Sequence, residues 1–273
     1  MHLYFKGEWV EYLSEEWVEL LRLLSSGQAL FETLHFEQEK LWFWKEHLER
    51  LTDSLRFFKC DCRELPDEAE LVRQLKLKGV AEARVKIVVA LPFEKPVKSV
   101  GRQNLFILVE PLTQALLGTP QKLITAPTPF APNNPLNGHK TINYGFHFYY
   151  RRIAAEEGAD DVLYLDQNGF LMETSIANIF GVKGNRIYTP ALNYGILPGT
   201  VRKVLMRHWP VTEIAIHIDE VGEYDYFFLT GAVKELRPVA QIDQQVFGNL
   251  ESFEEWQKKW KEIKQAYLQG SRR

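Results

Sequence analysis

Apolar and polar positions follow two different rhythms along the chain. Residues 4–13 read as a short strand hairpin with a Lys-Gly turn. EEWVELLRLLS (15–25) has helical spacing, with Ser14 as its N-cap. ALFETLHFEQEKLWFW (29–44) predicts two strands around the polar turn EQEK. KEHLERLTDSLRFF (45–58) places Leu48, Leu51, Leu55 and Phe58 on one helical stripe. PDEAELVRQLKLKG (66–79) is a further helix, with Pro66 near its start and Gly79 past its end. ARVKIVVALPF (83–93) and QNLFILVEP (103–111) are branched, apolar strands.

Residues 117–138 are rich in Pro, Asn and Gly and predict a connection followed by a loop. A helix is expected from Thr141 to about Glu157, stopped by Gly158. Strands follow at DVLYLD (161–166), FLMETS (170–175), NIFGVK (178–183) and RIYTP (186–190), separated by Asn- and Gly-containing turns. Gly199 opens a helix through Trp209, EIAIHI (213–218) and YDYFFLT (224–230) are strands, and residues 251–268 form a terminal amphipathic helix. The pattern predicts a mixed α/β fold of two domains, with mostly antiparallel strands in the second half. The expected boundaries are 1–117 for a small α/β domain, 118–130 for the connection and 131–273 for the larger domain.

Composition narrows the function. With 273 residues, 45% of them hydrophobic, the chain can bury a large core. A net charge of −3 gives no reason to expect nucleic acid or an anionic membrane as partner. No apolar run reaches the length of a membrane span, and the start lacks a basic region followed by an apolar one. Cys60 and Cys62 form CDC, too tight for an ordinary disulfide and too sparse for zinc, so free thiols in a reducing cytoplasm are expected. The scattered histidines offer no metal spacing. GxGxxG, GxxxxGK[ST], HExxH and GxSxG are all absent.

One lysine stands out. Lys140 opens the aromatic run HKTINYGFHFYYRR (139–152). Two readings are open: a solvated lysine at an element boundary, or a catalytic amine in a partly apolar pocket. Four segments in order decide between them: EHLERL (46–51), HKTINY (139–144), METSIANIF (172–180) and GILPGTVRKVL (195–205). Together they resemble the fold-type IV pyridoxal-phosphate enzymes, the class that holds branched-chain and D-amino-acid aminotransferases and 4-amino-4-deoxychorismate lyases. The resemblance runs from about residue 30 to 245 and is strongest over 139–205.

The resemblance implies a D-amino-acid aminotransferase-like fold, pyridoxal 5'-phosphate as cofactor, a small-molecule amine as substrate and a homodimer. It makes Lys140 the lysine that forms a Schiff base with the cofactor and afterwards moves protons. Glu173 holds the ring nitrogen protonated. Arg50 and the backbone amides after Gly199, at Thr200 and Val201, bind phosphate; otherwise Arg50 is a surface arginine paired with Glu46. Tyr144 reaches the phenolic oxygen. Many members carry Thr or Ser in the segment matching LTGAVKELRPV (229–239); Ala232 and Val233 stand there, so only their backbone groups can contribute. Arg84 matches a basic position near the substrate carboxylate.

The reaction is less defined. HKTINY, with three residues between lysine and tyrosine, and the compact chain look most like lyase-type members. Such a lyase converts 4-amino-4-deoxychorismate to 4-aminobenzoate and pyruvate, a step in folate biosynthesis. VVALPFEKPVKSV (88–100) replaces the usual Arg-Gly-rich carboxylate loop, and SSGQALFETL replaces a Gly-rich lead. The alternatives are an aminotransferase of branched-chain or D-amino acids, and a non-catalytic member that binds the cofactor. Retention of Lys140 and Glu173 opposes the last.

Overall fold

Strand β3 (Ala29–Glu37) divides its side chains between two environments, and this division organises the first half of the chain. The computed structural model describes residues 3–5, 8–10, 14–62, 64–91, 99–100, 104–112, 119–248 and 252–270. Within them, β1 (Leu3–Phe5) and β2 (Glu8–Val10) form the expected antiparallel hairpin, and α1 (Glu15–Ser26) follows. Gln38 and Glu39, both at positive φ, turn β3 into the short β4 (Lys40–Leu41). Helix α2 (Trp44–Phe57), strand β5 (Asp61–Cys62) and helix α3 (Glu68–Leu77) come next, and the Asp67 side chain caps α3. The buried thiol of Cys60 precedes β5. Strand β6 (Glu82–Ala90) pairs with β3, and β8 (Leu105–Pro111) pairs with β6. The short β7 (Ser99–Val100) pairs with β5.

The resulting four-stranded sheet has the order β4-β3-β6-β8. One face of β3 sends Leu34 and Phe36 into a cluster with Trp44 of α2 and Leu71 and Leu75 of α3. Leu30 joins Leu51 and Leu55 on the same side. The alternate residues Phe31 and Thr33 face a cleft, as does Lys86, which lies opposite Thr33 in register.

The second half builds β9 (Gln121–Thr125), α4 (Gly145–Glu156), β10 (Asp161–Leu165), β11 (Leu171–Thr174), β12 (Asn178–Lys183) and β13 (Arg186–Thr189). These are followed by α5 (Thr200–His208), β14 (Val211–Glu213), β15 (Tyr226–Gly231), β16 (Glu235–Ile242), β17 (Gln245–Val246) and α6 (Phe253–Gly270). Their nine-stranded sheet runs β11-β10-β9-β16-β15-β12-β13-β14, with β17 on β16. One further pairing, Glu173 opposite Asn178, joins β11 to β12 and closes six strands into a ring. Most pairings are antiparallel; β9 is parallel to both of its neighbours. Phe180 and Phe228 stack at 5.0 Å in the core of this half.

Helix α6 reaches back to the first half. Lys264 Nζ donates to Glu37 at 2.9 Å and to Glu235, which also accepts from Trp260 Nε1 at 2.9 Å. His35, Glu37 and Glu235 bring possible metal-ligand atoms within 4.8 Å of one another, but the Lys264 ammonium already supplies the positive charge there. Burial alone would raise the Glu235 pKa; His35 and Lys264 hold it at about 2.

Several elements differ from the sequence expectation. The helix expected from Thr141 begins at Gly145, because residues 140–142 bond to β3 instead. Residues 121–125, read as connection, are a central strand of the large sheet. The strand expected at 213–218 is limited to Val211–Glu213; His217 and Glu220 form a capping box on a 3-10 turn that interrupts it. The second strand of the EQEK hairpin is two residues long, because Phe43 turns into α2 at φ 57°. LRPV lies within β16, where Pro238 sits one residue before pairing with β9 begins. Among the described residues no helix is long and apolar enough to cross a membrane.

Candidate active site

The site is built around an extended stretch of backbone. Phe31 N donates to Lys140 O at 2.8 Å and Ile142 N donates to Ala29 O at 3.1 Å, so residues 140–142 add to the edge of β3. His139 is fixed behind them, stacked on Phe57 at 4.0 Å and bonded to Ser54 Oγ at 3.0 Å. The half-buried Lys140 side chain thus leaves a rigid base. Its Nζ donates to Tyr144 Oη at 3.1 Å and lies 4.7 Å from the Phe31 ring centroid. Lys86 Nζ lies 5.0 Å from the same centroid.

Glu173 sits at the end of β11, 8% exposed. Its carboxylate accepts from Asn178 Nδ2 at 3.0 Å and from Leu197 N at 3.1 Å. Burial outweighs these contacts and pushes its pKa up to about 8. His147, beside Lys140, is driven down to about 4 by burial and by the Lys140 charge; its Nδ1 pairs with Tyr164 Oη at 3.0 Å. Burial raises the Tyr164 hydroxyl, so both partners stay neutral.

Arg50 does not pair with Glu46, which is bonded to Arg207 instead. Its guanidinium grips buried Glu32 with two bonds, Nε at 2.8 Å and Nη2 at 2.5 Å, and donates through Nη1 to Pro198 O at 3.1 Å. His47 Nδ1 donates to Glu32 at 2.6 Å, which leaves Nε2 to accept from Thr200 Oγ1 at 3.3 Å. Burial would raise the Glu32 pKa, but Arg50 and His47 hold it at about 2.

Next to Pro198, the turn into α5 has no side-chain cap, so its first amides are available to a ligand. A Cβ on Gly199 would fall 2.0 Å from Asn178 Oδ1, so only glycine fits this approach. Across the cleft, Thr230 Oγ1 is buried without a hydrogen-bond partner.

A cleft of about 1300 Å³ joins these features. Arg50, Lys140, Tyr144, Glu173, Gly199, Thr200, Val201, Ala232, Val233 and Arg84 all line it. Arg84 is tied to Glu110 at 3.0 Å and is half-exposed. Most of VVALPFEKPVKSV lies outside the described residues. Sequence reasoning missed Glu32, His47, Lys86, Asn178 and Thr230. Glu32 did leave a signal: it shares the helix-facing register of β3 with Leu30, Leu34 and Phe36, and a carboxylate buried there needs a cation.

Two tests follow from this geometry. Glu32→Gln leaves the Arg50 charge without its carboxylate and is expected to lower stability at pH 7 by about 3–5 kcal/mol in chemical denaturation. In the wild type this contribution is full above pH 4.5 and is lost as pH falls towards 2. Glu173 has the opposite sign. Between pH 4.5 and about 8 the unfolded chain holds fewer protons at this position, so the cofactor-free protein loses stability as pH rises through that window. The slope is up to about 1.4 kcal/mol per pH unit. Denaturation of cofactor-free Glu173→Gln across the same range is expected to show this slope removed; an unchanged slope would assign it to another group.

The amino-transferase class IV family pattern matches residues 29–242. A "Putative branched-chain-amino-acid aminotransferase" of Methanocaldococcus jannaschii is 26% identical over 91% of this chain and 90% of its own. The "Branched-chain-amino-acid aminotransferase-like protein 2" of Arabidopsis thaliana is 31% identical over 83% of this chain, which spans 43% of that protein's length. A solved "Putative 4-amino-4-deoxychorismate lyase" from Legionella pneumophila superposes with a TM-score of 0.78 at 26% identity, covering 88% of this chain and 93% of that one. A "hypothetical aminotransferase" of Mycobacterium tuberculosis, solved in a PLP-bound form, shares the fold with a TM-score of 0.73 at 19% identity over 89% and 90% of the two chains. With the family pattern spanning most of the chain and the four motif segments meeting in one cleft, this chain belongs to the amino-transferase class IV family, the fold-type IV enzymes.

Proposed function

We propose that the chain is a lyase that converts 4-amino-4-deoxychorismate to 4-aminobenzoate and pyruvate, with pyridoxal 5'-phosphate as cofactor. One observation carries the choice of reaction: Lys86 places a second ammonium group 5.0 Å from the ring that underlies Lys140. A substrate whose amine is processed at Lys140 thereby meets a cation for a nearby carboxylate, and 4-amino-4-deoxychorismate offers two.

The cleft fits the cofactor. It has a lysine amine, a buried acid, uncapped helix amides beside a glycine, and an unpartnered threonine hydroxyl. When bound, pyridoxal 5'-phosphate supplies an aldehyde for amines and a protonated ring that draws electrons from the neighbouring carbon. Lys140 would hold the cofactor through its amine and, once free, would take the proton from the substrate carbon next to nitrogen. The C–O bond to the enolpyruvyl group breaks, and the departing group picks up a proton and becomes pyruvate. Aromatisation of the ring drives this step, so no amino acceptor is needed. Tyr144 orients the Lys140 amine and would hydrogen-bond the cofactor's phenolic oxygen. Glu173 would face the cofactor's ring nitrogen; a positive charge there would bring the raised pKa of that acid down again, and the carboxylate would keep the nitrogen protonated. Gly199, Thr200 and Val201 offer phosphate their amides, with Arg50 beside them. Ala232 and Val233 contribute backbone only, and Arg84 stands further out on the carboxylate side.

The relatives named as branched-chain aminotransferases support a second reading, in which Lys140 would return the proton, water would release a keto acid, and the amino group left on the cofactor would pass to a second keto acid. Purified protein given 4-amino-4-deoxychorismate without keto acid separates the two. Equal release of 4-aminobenzoate and pyruvate, abolished in Lys140→Ala, is the expected result. Absence of release, with amino transfer from branched-chain or D-amino acids, would establish the aminotransferase. A yellow protein trapped by borohydride at Lys140 but inactive on every amine would be a non-catalytic member. A homodimer completes this reading: Phe148 and Tyr149 are 64% and 59% exposed on α4, and Ile107 and Leu108 are exposed on β8. Light scattering is expected to give twice the 31.8 kDa chain mass; the chain mass itself would refute the dimer.

A further inference from the structure

Part of the cleft lining carries a charge that the chemistry above does not use. Arg237, on β16, is 4% exposed and lines the cleft. Its guanidinium donates to Gln121 Oε1, a neutral acceptor. Lys234, in the turn before β16, and Arg151, on α4, line the same end. Among the described residues no carboxylate oxygen lies within the 4.0 Å of an ion pair from any of the three. Asp161 is near enough to act on the Lys234 and Arg237 charges, but one of its oxygens is taken by Ser175 Oγ at 2.5 Å and Val162 N at 2.9 Å. Its other oxygen is buried with no hydrogen-bond partner. Burial also pushes the Asp161 pKa up, which weakens it as a counter-ion for Arg237.

Asp160 also acts on the Arg237 charge without forming an ion pair with it. A buried guanidinium whose direct hydrogen-bond partner is an amide oxygen is costly, and a ligand anion relieves that cost. Lys234 is held in the same way: burial and the Arg237, Arg151 and Arg84 charges lower its pKa against the opposing effect of Asp161. The positive groups come from two elements. Lys86 and Arg84 belong to β6, while Lys234 and Arg237 flank the start of β16. An amine with one carboxylate would engage one group of cations and leave the other without an anion.

We infer that Lys234 and Arg237, assisted by Arg151, form a second carboxylate subsite, so that the cleft selects amines bearing two carboxylates. The inference rests on the lyase reading for the identity of the amine, and its test does not depend on turnover. Isophthalate and benzoate serve as probes, since they share a ring and differ by one carboxylate. Calorimetric titration of the holoenzyme is expected to give isophthalate at least about tenfold tighter binding than benzoate, the loss of one charge-assisted contact in free-energy terms. Lys234→Met and Arg237→Gln are each expected to remove most of that preference, with benzoate affinity and the cofactor absorption spectrum unchanged. Arg237→Lys, which keeps the charge, is expected to retain it. Equal affinity for the two probes in the wild type would overturn the subsite, as would an unchanged preference in Lys234→Met. Lys234 is half-buried with no ion pair to lose, so that variant decides the matter if Arg237→Gln fails to fold. If the dicarboxylate preference holds and 4-amino-4-deoxychorismate is not turned over, the subsite stands and the lyase reading falls. Turnover without the preference has the opposite meaning.

Discussion

The carboxylate of Glu32 is the point on which the arrangement depends. It is 1% exposed, so its ionised form survives only because a guanidinium and an imidazole replace the lost water. The contacts run in three directions. Glu32 belongs to β3, Arg50 and His47 to α2, and through them the network reaches Pro198 O and the Thr200 hydroxyl at the start of α5. A well-packed apolar trio would stabilise a core about as well. An apolar trio would not aim the third N–H of Arg50 at the turn that opens α5. The network therefore fixes the place where the small sheet meets the helix terminus.

Two buried carboxylates in this molecule move in opposite directions for one reason. Glu32 has a cation in contact and stays ionised; Glu173 has only an amide side chain and a backbone N–H, and becomes neutral. Neutral donors cannot offset full desolvation, whereas one guanidinium can. The difference separates their work. The first is a structural anchor that ordinary pH does not disturb. The second is a site whose charge is left to be set by what binds against it.

Much of this was legible in the sequence, and the limits have physical causes. Lys140, Tyr144, Glu173 and the Gly199–Val201 turn sit in short segments whose residue order is itself the signal. The β3/β6 pair was legible from apolar branching, and α2 from its leucine stripe. The β9 strand was hidden because TPQKLITAP is bounded by prolines and its pairing comes from strands distant in sequence. The helix after Lys140 was begun too early because aromatic spacing does not reveal that residues 140–142 are already bonded to β3. Glu32, His47 and Arg50 are each visible as charged residues, but their convergence with Pro198 is tertiary. Arg237 was passed over because its place in the cleft comes from the pairing of β16 with strands distant in sequence.

The addition of residues 140–142 to β3 has a consequence for how such a chain can change over time. The backbone of Lys140 takes its position from a β-ladder and from the anchored His139. The Pro- and Asn-rich segment further upstream can be lengthened, shortened or rewritten without moving the reactive nitrogen, provided Ala29, Phe31 and Tyr144 keep their place. The reactive core and the surfaces that choose a substrate are thereby mechanically uncoupled. One scaffold can drift from one amine to another by changing loops alone, while its central amine stays in register.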